Sequence, residues 1–442
     1  MEYLSANKIG VIDLTTSKKD EDSLSEELIL ERIGGIGITT YLYEKFKDED
    51  PVVFGTGLLT GTLVPGSSLG VITARSPLTG KICHAPFGLF AAAEMKYSGF
   101  DYLVVKGTAK NPVYLWLHDG IADIRDASKY WGKTPWEVAD LKGLRNELGD
   151  ELIQFLTIGK AGEECSDIAQ ILINFWASGD RWGFGKILGA KRLKSIAIRG
   201  MGLFEIAKPA QFIKTCTELL ADIKKGQALE KKGCIEFPAA LGEEDIKDWI
   251  SPLVHRHSAG YNCPYPTNTY VKYNESPQVL EETEVDEPGF LITDIYGLLA
   301  FKKLGLSAED SCRMLEACAK YGLDSVSASQ LLEKTGKRNR EDLEAELVHL
   351  RGPIESIGSG VFSPWIPQKP LFAEYDLPHD AGKISEWWNR RQAVAHIFGI
   401  DPIIALMLPE LSEAKLIELV NIGTGLEITL DILDKVVSEL LQ

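Results

Sequence analysis

Residues 255–270 read HRHSAGYNCPYPTNTY. An iron–sulfur cubane needs about four thiolates, and a CxxCxxxC run is a common way to supply three of them. At that spacing stand Gly260, Cys263 and Thr267. The stretch has the outline of a cluster site with one thiolate left. His255 and His257 form an HxH pair. Imidazoles at that spacing can ligate a metal from a strand, but no third ligand is suggested, and a solvated loop is the simpler reading. Cys312 and Cys318 lie six apart in a helical pattern and so do not share a face. Core packing accounts for Cys318 and for Cys216. Cys83 and His84 follow an SPLTG turn and read as turn residues.

A second set of candidates is rich in glycine. GGIGITTYLYEKF, from Gly34 to Phe46, is a glycine turn opening a helix. Helix N-terminal amides in such a turn can hold a phosphate. The full dinucleotide fingerprint is absent, because Thr40 occupies the third glycine position, and a tight turn is the preferred reading of these residues taken alone. GTGLLTGTLVPGSS and ARSPLTG place Thr60, Gly61 and Ser76 where backbone can approach a polyanion; strand-connecting turns are the plainer account. Gly183 and Gly185, in DRWGFGKILGAKRLK, precede a helix that ends on Lys191, Arg192 and Lys194, where cations suit the dipole.

The elements that must position these residues divide the chain in two. Through residue 205, KIGVIDLTT, PVVFGTG, LGVITA, YLVVKG, PVYLWLHDG, FLTIG and SIAIRG read as strands, each beside a Gly, Pro or Asp turn. DSLSEELILERIGG reads as a helix stopped by Gly34 and Gly35, and TPWEVADLKGLRNELG as a helix capped by Thr134 with Pro135 in its first turn. From residue 206 to 442 the pattern is mainly helical. QFIKTCTELLADIKKG carries an apolar stripe at helical spacing. LSAEDSCRMLEACAKYGLD opens on Ser307 and Asp310 as a capping box and stops at Gly322. KISEWWNRRQAVAHIFG, SEAKLIELVNIG and TLDILDKVVSELL are amphipathic. Residues 352–380 have no clear period and read as an extended connection. No internal repeat is evident. The expected fold class is α+β, with domains at 1–205 and 206–442.

Composition narrows the partners. The chain has 442 residues and a formal net charge of −17, which disfavours nucleic acid because phosphate neutralisation needs a basic face. The run Val52–Ala74 is interrupted by glycines and a proline, so a membrane span is not expected. MEYLSANKIG lacks the pattern of a signal peptide. Seven scattered cysteines suit a reducing cytoplasm better than a disulfide framework.

In combination, GGIG, TGLLTGTLVPGSS, SPLTG, EMKYSGFD, IGKAGE and GFGKILGAKRLKSIAIRG resemble the aldehyde:ferredoxin oxidoreductase family, over nearly all of residues 5–205. The resemblance continues weakly through YGLDSVSA and ELVNIGTGLEIT. It implies a β-rich base for a tungsten or molybdenum bis-pterin, helical domains closing over it, and a 4Fe-4S cluster beside it. The metal supplies the chemistry, aldehydes become carboxylic acids, and ferredoxin or a partner subunit takes the electrons. It places the cofactor around Gly34, Gly35, Gly37, Thr60, Gly61, Ser76, Gly183, Gly185 and Asp324.

The departures from that pattern decide the functional expectation. The family's cluster cysteines fall on Gly260, Cys263, Thr267 and, in FGIDPI, on Asp401. Only Cys263 remains, a remnant of the site. A phosphate-binding Arg falls on Leu69, and an Asn at the magnesium between the phosphates falls on Pro86. The pterin-binding acids of the two signatures fall on Ala319 and His396. The family's dimer-metal pair falls on Arg313 and Glu316, and the segment with its active-site His has no counterpart, part of the gap lying between Leu332 and Asp380. No catalytic residue is therefore assigned, and a 4Fe-4S cluster is not expected. The expected protein is a non-catalytic accessory subunit, as a homo-oligomer or in complex with a complete paralogue or a ferredoxin-like subunit. Two alternatives stand beside it. One is an active tungsto- or molybdo-bis-pterin enzyme sending electrons out through a partner, with phosphates held by backbone amides alone. The other is a binder of another phosphate-bearing ligand in the same cleft.

Overall fold

A computed structural model describes the chain except residues 1, 141, 227–232, 274–288, 353, 355–359, 364–368, 373 and 442. The fold is α+β. Two six-stranded sheets are built from β1 (Ile9–Asp13), β2 (Lys18–Asp22), β3 (Val52–Thr56), β4 (Gly70–Arg75), β5 (Ile82–Phe87) and β6 (Tyr102–Lys106), and from β7 (Val113–His118), β8 (Ile121–Asp126), β9 (Gln154–Thr157), β10 (Leu172–Ile173), β11 (Trp176–Ala177) and β12 (Leu193–Arg199). All seven strands read from sequence are present. The missed ones have physical reasons. KKDED (β2) is an edge strand exposed at all five positions, so it carries no apolar alternation. β5 holds Pro86, which a strand tolerates only at an edge, and β5 is an edge. Cys83 and His84 are therefore buried strand residues, not turn residues.

The sheet orders correct the expectation that the chain has no repeat. The first runs β2-β1-β6-β3-β4-β5 and the second β11-β10-β9-β12-β7-β8. Read from the other end, the second is the first with six added to every strand. The senses agree as well: β1–β6 and β7–β12 are parallel, and the remaining pairs are antiparallel. A helix precedes the last strand of each half, Ala91–Tyr97 in the first and Phe184–Ala190 in the second. The duplication is invisible in sequence because the halves share topology without sharing residues. β10 and β11 have only two residues each, too short to show a period.

The helical region repeats a motif to match. Helix Ala308–Tyr321 ends on Gly322 in the left-handed conformation, and Asp324 caps helix Ser325–Glu333. Helix Ala381–Phe398 ends on left-handed Gly399, and Asp401 caps helix Pro402–Met407. Each Gly-(Leu/Ile)-Asp turn docks on the same loop of one half. The amide of Asp324 donates to Ile168 O, four residues before β10, and that of Asp401 to Gly66 O, four residues before β4. The region also holds helices Pro209–Ile223, Ile295–Lys303, Arg340–Leu347, Glu413–Thr424 and Leu430–Leu440, among shorter ones, and a small antiparallel sheet of β13 (Val254–Ser258), β14 (Asn268–Lys272) and β15 (Gly289–Ile292). His255 and His257 thus lie on an edge strand rather than in a loop. The expected connection at 352–380 lies partly outside the described residues. Among the described residues, no helix is long and apolar enough to cross a membrane.

Candidate functional site

The edges of the two large sheets, the small sheet and the Gly399 turn meet at a cavity with about 530 Å³ of open space. Only about 60 Å³ of it admits the centre of a water molecule. That is room for roughly five waters. Leu69, Pro86, Gly260, Thr267 and Asp401 all line it, joined by Gly88. These five come from distant parts of the sequence, and they are positions the family resemblance assigns to phosphate, magnesium or cluster ligands. Cys263 lies behind the wall, its Sγ 3.4 Å from Ser68 Oγ. Burial, and then the charge of Asp401, push its thiol far above the usual range. Without a metal beside it, such a thiol stays protonated at neutral pH and is a poor nucleophile. Among the described residues, no group of three or more His, Cys, Asp or Glu side chains is arranged to hold a metal ion.

None of the nine residues expected around a cofactor lines this cavity. They sit at the two joints between sheets and helical turns. Gly34 and Gly35 lead into helix Ile36–Lys45 against the carbonyls that end helix Ala381–Phe398, where a Cβ on Gly35 would overlap His396 O, and Gly37 in the first turn lies against Arg32 O. The Gly35 amide is 3.1 Å from Tyr102 Oη and 3.3 Å from Thr56 O. Thr60 Oγ1 donates to Leu69 O and accepts from Gly57 N, and Gly61 N donates to Ser67 O. At the second joint, Ser76 Oγ donates to Trp182 O. Gly183 has φ +77°, which only glycine adopts freely, and Gly185 N donates to Ala169 O. Asp324 accepts from Ser327 N and lies 3.5 Å from Arg181. Asp294 is the nearer partner of that guanidinium, at 2.7 Å, and all three side chains are buried.

Sequence reasoning missed what the EMKYSGFD segment does. Lys96 is buried and donates to the carbonyls of Gly57 and Leu58. Burial lowers its pKa to about 8, against the opposing pull of Asp101. Tyr97 Oη donates to Gly61 O, and Asp101 accepts from Ser5 Oγ and the amides of Ala6 and Lys8. The segment clamps the β3–β4 loop to the sheet. Its one sequence signal is a lysine amid apolar residues. IGKAGE has a similar use: Glu163 and Lys194 form a buried ion pair beneath the loop.

Two histidines flank Phe362 in the core near the first joint. Phe362 lies 5.9 Å from His84 and 5.0 Å from His396 between ring centroids. His84 Nδ1 is 2.9 Å from Thr73 Oγ1, and His396 Nδ1 is 2.7 Å from Gln392 O. Nε2 of His396 is buried without a partner among the described residues. Burial lowers His84 to about 3 and His396 to about 4. Both are held neutral in the fold but protonate near 6.5 when unfolded. The stability this confers is complete above about pH 6.5 and is lost as pH falls towards 4. Buried Asp180 and half-buried Asp401, raised by desolvation to about 7 and about 6, act with the opposite sign over an overlapping window. Comparison with a variant removes that interference. The stability advantage of wild type over His396→Phe is expected to shrink as pH drops from 6.5 to 4, by up to about 3 kcal/mol. Urea midpoints of both proteins across that range check it; parallel profiles refute it.

A duplicated-sheet domain seated on paired Gly-(Leu/Ile)-Asp turns, with a cavity where sheets and turns meet, defines the class. Its members are found by comparison. Residues 9–200 match the aldehyde ferredoxin oxidoreductase N-terminal domain. The tungsten-containing aldehyde ferredoxin oxidoreductase of Pyrococcus abyssi is 37% identical over 251 residues, 54% of this chain and 41% of that protein. The Thermococcus kodakarensis protein of the same name is 31% identical over 355 residues, 73% of this chain and 56% of its own length. An aliphatic sulfonate oxidoreductase, WOR-like subunit, of Pyrococcus furiosus is 31% identical over 227 residues, 45% of this chain and 35% of that one. This chain therefore belongs to the aldehyde ferredoxin oxidoreductase family, and it spans about half the length of the curated relatives it matches. Among solved structures, the active site complex BamBC of benzoyl coenzyme A reductase with 1,5 dienoyl-CoA superposes with a TM-score of 0.80. That match covers 99% of this chain and 88% of the other at 18% identity, a likeness of fold.

Proposed function

We propose that this family member has lost the redox centre and serves as a non-catalytic accessory subunit of an oxidoreductase complex. The observation that carries the reading is the makeup of the cavity. Five ligand positions of the family pattern gather there, and they present one carboxylate, no thiolate and no cation. A bis-pterin with its phosphates needs positive charge around it. The residues present do not fit that group, and one shielded thiol does not hold a cubane. The alternative of an active enzyme relies on free backbone amides. The amides of Gly35, Gly61 and Gly185 are bonded within the fold. A subunit role accords with two of the similar proteins, one named a subunit and one solved as a complex.

The test is native purification followed by elemental analysis for tungsten, molybdenum and iron, with a visible spectrum and mass analysis of what co-purifies. Metal far below one atom per chain and a retained second polypeptide are expected. Tungsten or molybdenum near one per chain, with aldehyde oxidation by the isolated chain, refutes the reading.

A further inference from the structure

The two halves differ at one pair of equivalent places. In the second half, Arg181 stands three residues before helix Phe184–Ala190 and sends its guanidinium to Asp294 and Asp324. In the first half, the residue three before helix Ala91–Tyr97 is Gly88. Asp401 is the counterpart of Asp324: each caps a helix after a left-handed glycine, and each docks its amide four residues before the equivalent strand. Asp324 therefore has an internal cation, and Asp401 has none among the described residues. The space a guanidinium would take is the cavity, which Gly88 and Asp401 both line.

We propose that this cavity is a binding pocket for a small organic cation, whose ammonium or guanidinium head meets Asp401 where the second half keeps Arg181. The inference rests on the reading that no pterin occupies the cavity. The wall chemistry favours a cation with a short apolar body. Asp401 is the single ionisable side chain among the lining residues described. One carboxylate oxygen, Oδ1, accepts from the amides of Ile403 and Ile404; Oδ2 has no partner among the described residues. Two of the hydroxyls in the wall have spent their protons, Ser178 on Ile171 O and Thr293 on Ala177 O. They offer acceptors to a ligand that brings donors. Leu69, Leu89, Ile173 and Ile403 supply apolar wall for a chain of a few carbons. An anion would meet a carboxylate and no compensating charge, a mismatch that a small pocket does not tolerate.

The experiment titrates full-length protein of measured metal and pterin content with n-butylguanidinium and n-butylammonium chloride, using butyrate and butanol as controls, by calorimetry. One or both cations are expected to bind with Kd below about 1 mM, and the controls not to bind. The ratio of the two affinities tells which head group the pocket suits. Asp401→Asn, which keeps the helix cap, is expected to weaken binding at least about tenfold. Gly88→Arg is expected to abolish it, by placing a guanidinium in the pocket from within. A Cβ at Gly88 meets nothing nearer than 3.7 Å, so the backbone there accepts a side chain, and this variant gives a second test if Asp401→Asn folds poorly. Equal binding of butanol, or unchanged affinity in Gly88→Arg, overturns the proposal. Tungsten or pterin in the preparation overturns the non-catalytic reading and this proposal together; metal-free protein that binds neither cation overturns this proposal alone.

Discussion

Gly260→Cys, Thr267→Cys and Asp401→Cys, combined in one chain with native Cys263, will take up about four irons on anaerobic reconstitution, and the unmodified protein will take up none. Three of the four positions line one cavity and the fourth packs directly behind its wall. The reason for expecting a cluster is therefore geometric. If the site was lost by exchange of its ligands, returning the thiols restores it. The costs are modest. Removing Asp401 deletes the cap of helix Pro402–Met407, at about 1 kcal/mol. A Cβ on Gly260 comes within 3.2 Å of the Leu89 backbone, which asks the turn after β5 to shift slightly. Iron analysis and the visible spectrum read the result, and Cys263→Ser in the triple background removes it. A folded triple variant without iron would mean that the four positions do not converge, and the cluster-loss reading would fall with them.

Gly57→Ala and Gly35→Ala will each lose about 3 kcal/mol of stability or fail to accumulate as soluble protein. At Gly57 a Cβ would overlap the backbone of Phe398 and Gly399, and at Gly35 the carbonyl of His396. Backbone at a docked helix end cannot swing aside as a side chain can. Gly35 adds the cost of a positive-φ backbone, φ +48° and ψ −123°, that L side chains rarely adopt. Gly80→Ala provides the control. Its φ is +70°, yet nothing lies within 4 Å of its Cβ, so it carries the conformational cost alone. Denaturant midpoints and soluble yield separate the three. Equal losses at Gly80 and Gly35 would show that conformation, not close approach, selects Gly35, and a negligible loss at Gly57 would show that its close approach is relieved by adjustment.

The contrast explains what could be read from sequence. Buried strands such as VVFGT and YLVVK announce themselves because both faces are apolar, and the caps Ser307, Thr134 and Ser412 mark helix starts by residue type. The positions that the family resemblance assigns to ligands were legible only through that pattern; nothing in Leu69 or Pro86 alone points to a cavity. The glycine turns were ambiguous in principle. A glycine that admits a phosphate and one that admits a neighbouring backbone obey the same steric rule, and only the fold tells which neighbour arrives. Arg181 was passed over because its meaning lies in its counterpart, Gly88, and the two halves had to be superposed by topology before the difference could be seen.

The two Gly–Gly contacts, Gly57 against Gly399 and Gly159 against Gly322, bear on how such proteins are recognised. Each is a mechanical seat where a helical turn rests on a sheet. A search pattern weighted on these glycines asks whether the seats are intact, and it returns the same answer whether or not chemistry takes place between them. Abandoning the reaction relaxes selection on ligands and leaves selection on seats untouched. Counting genomes by this signature therefore tallies scaffolds, and the number of working catalysts among them has to be counted at the cavity wall.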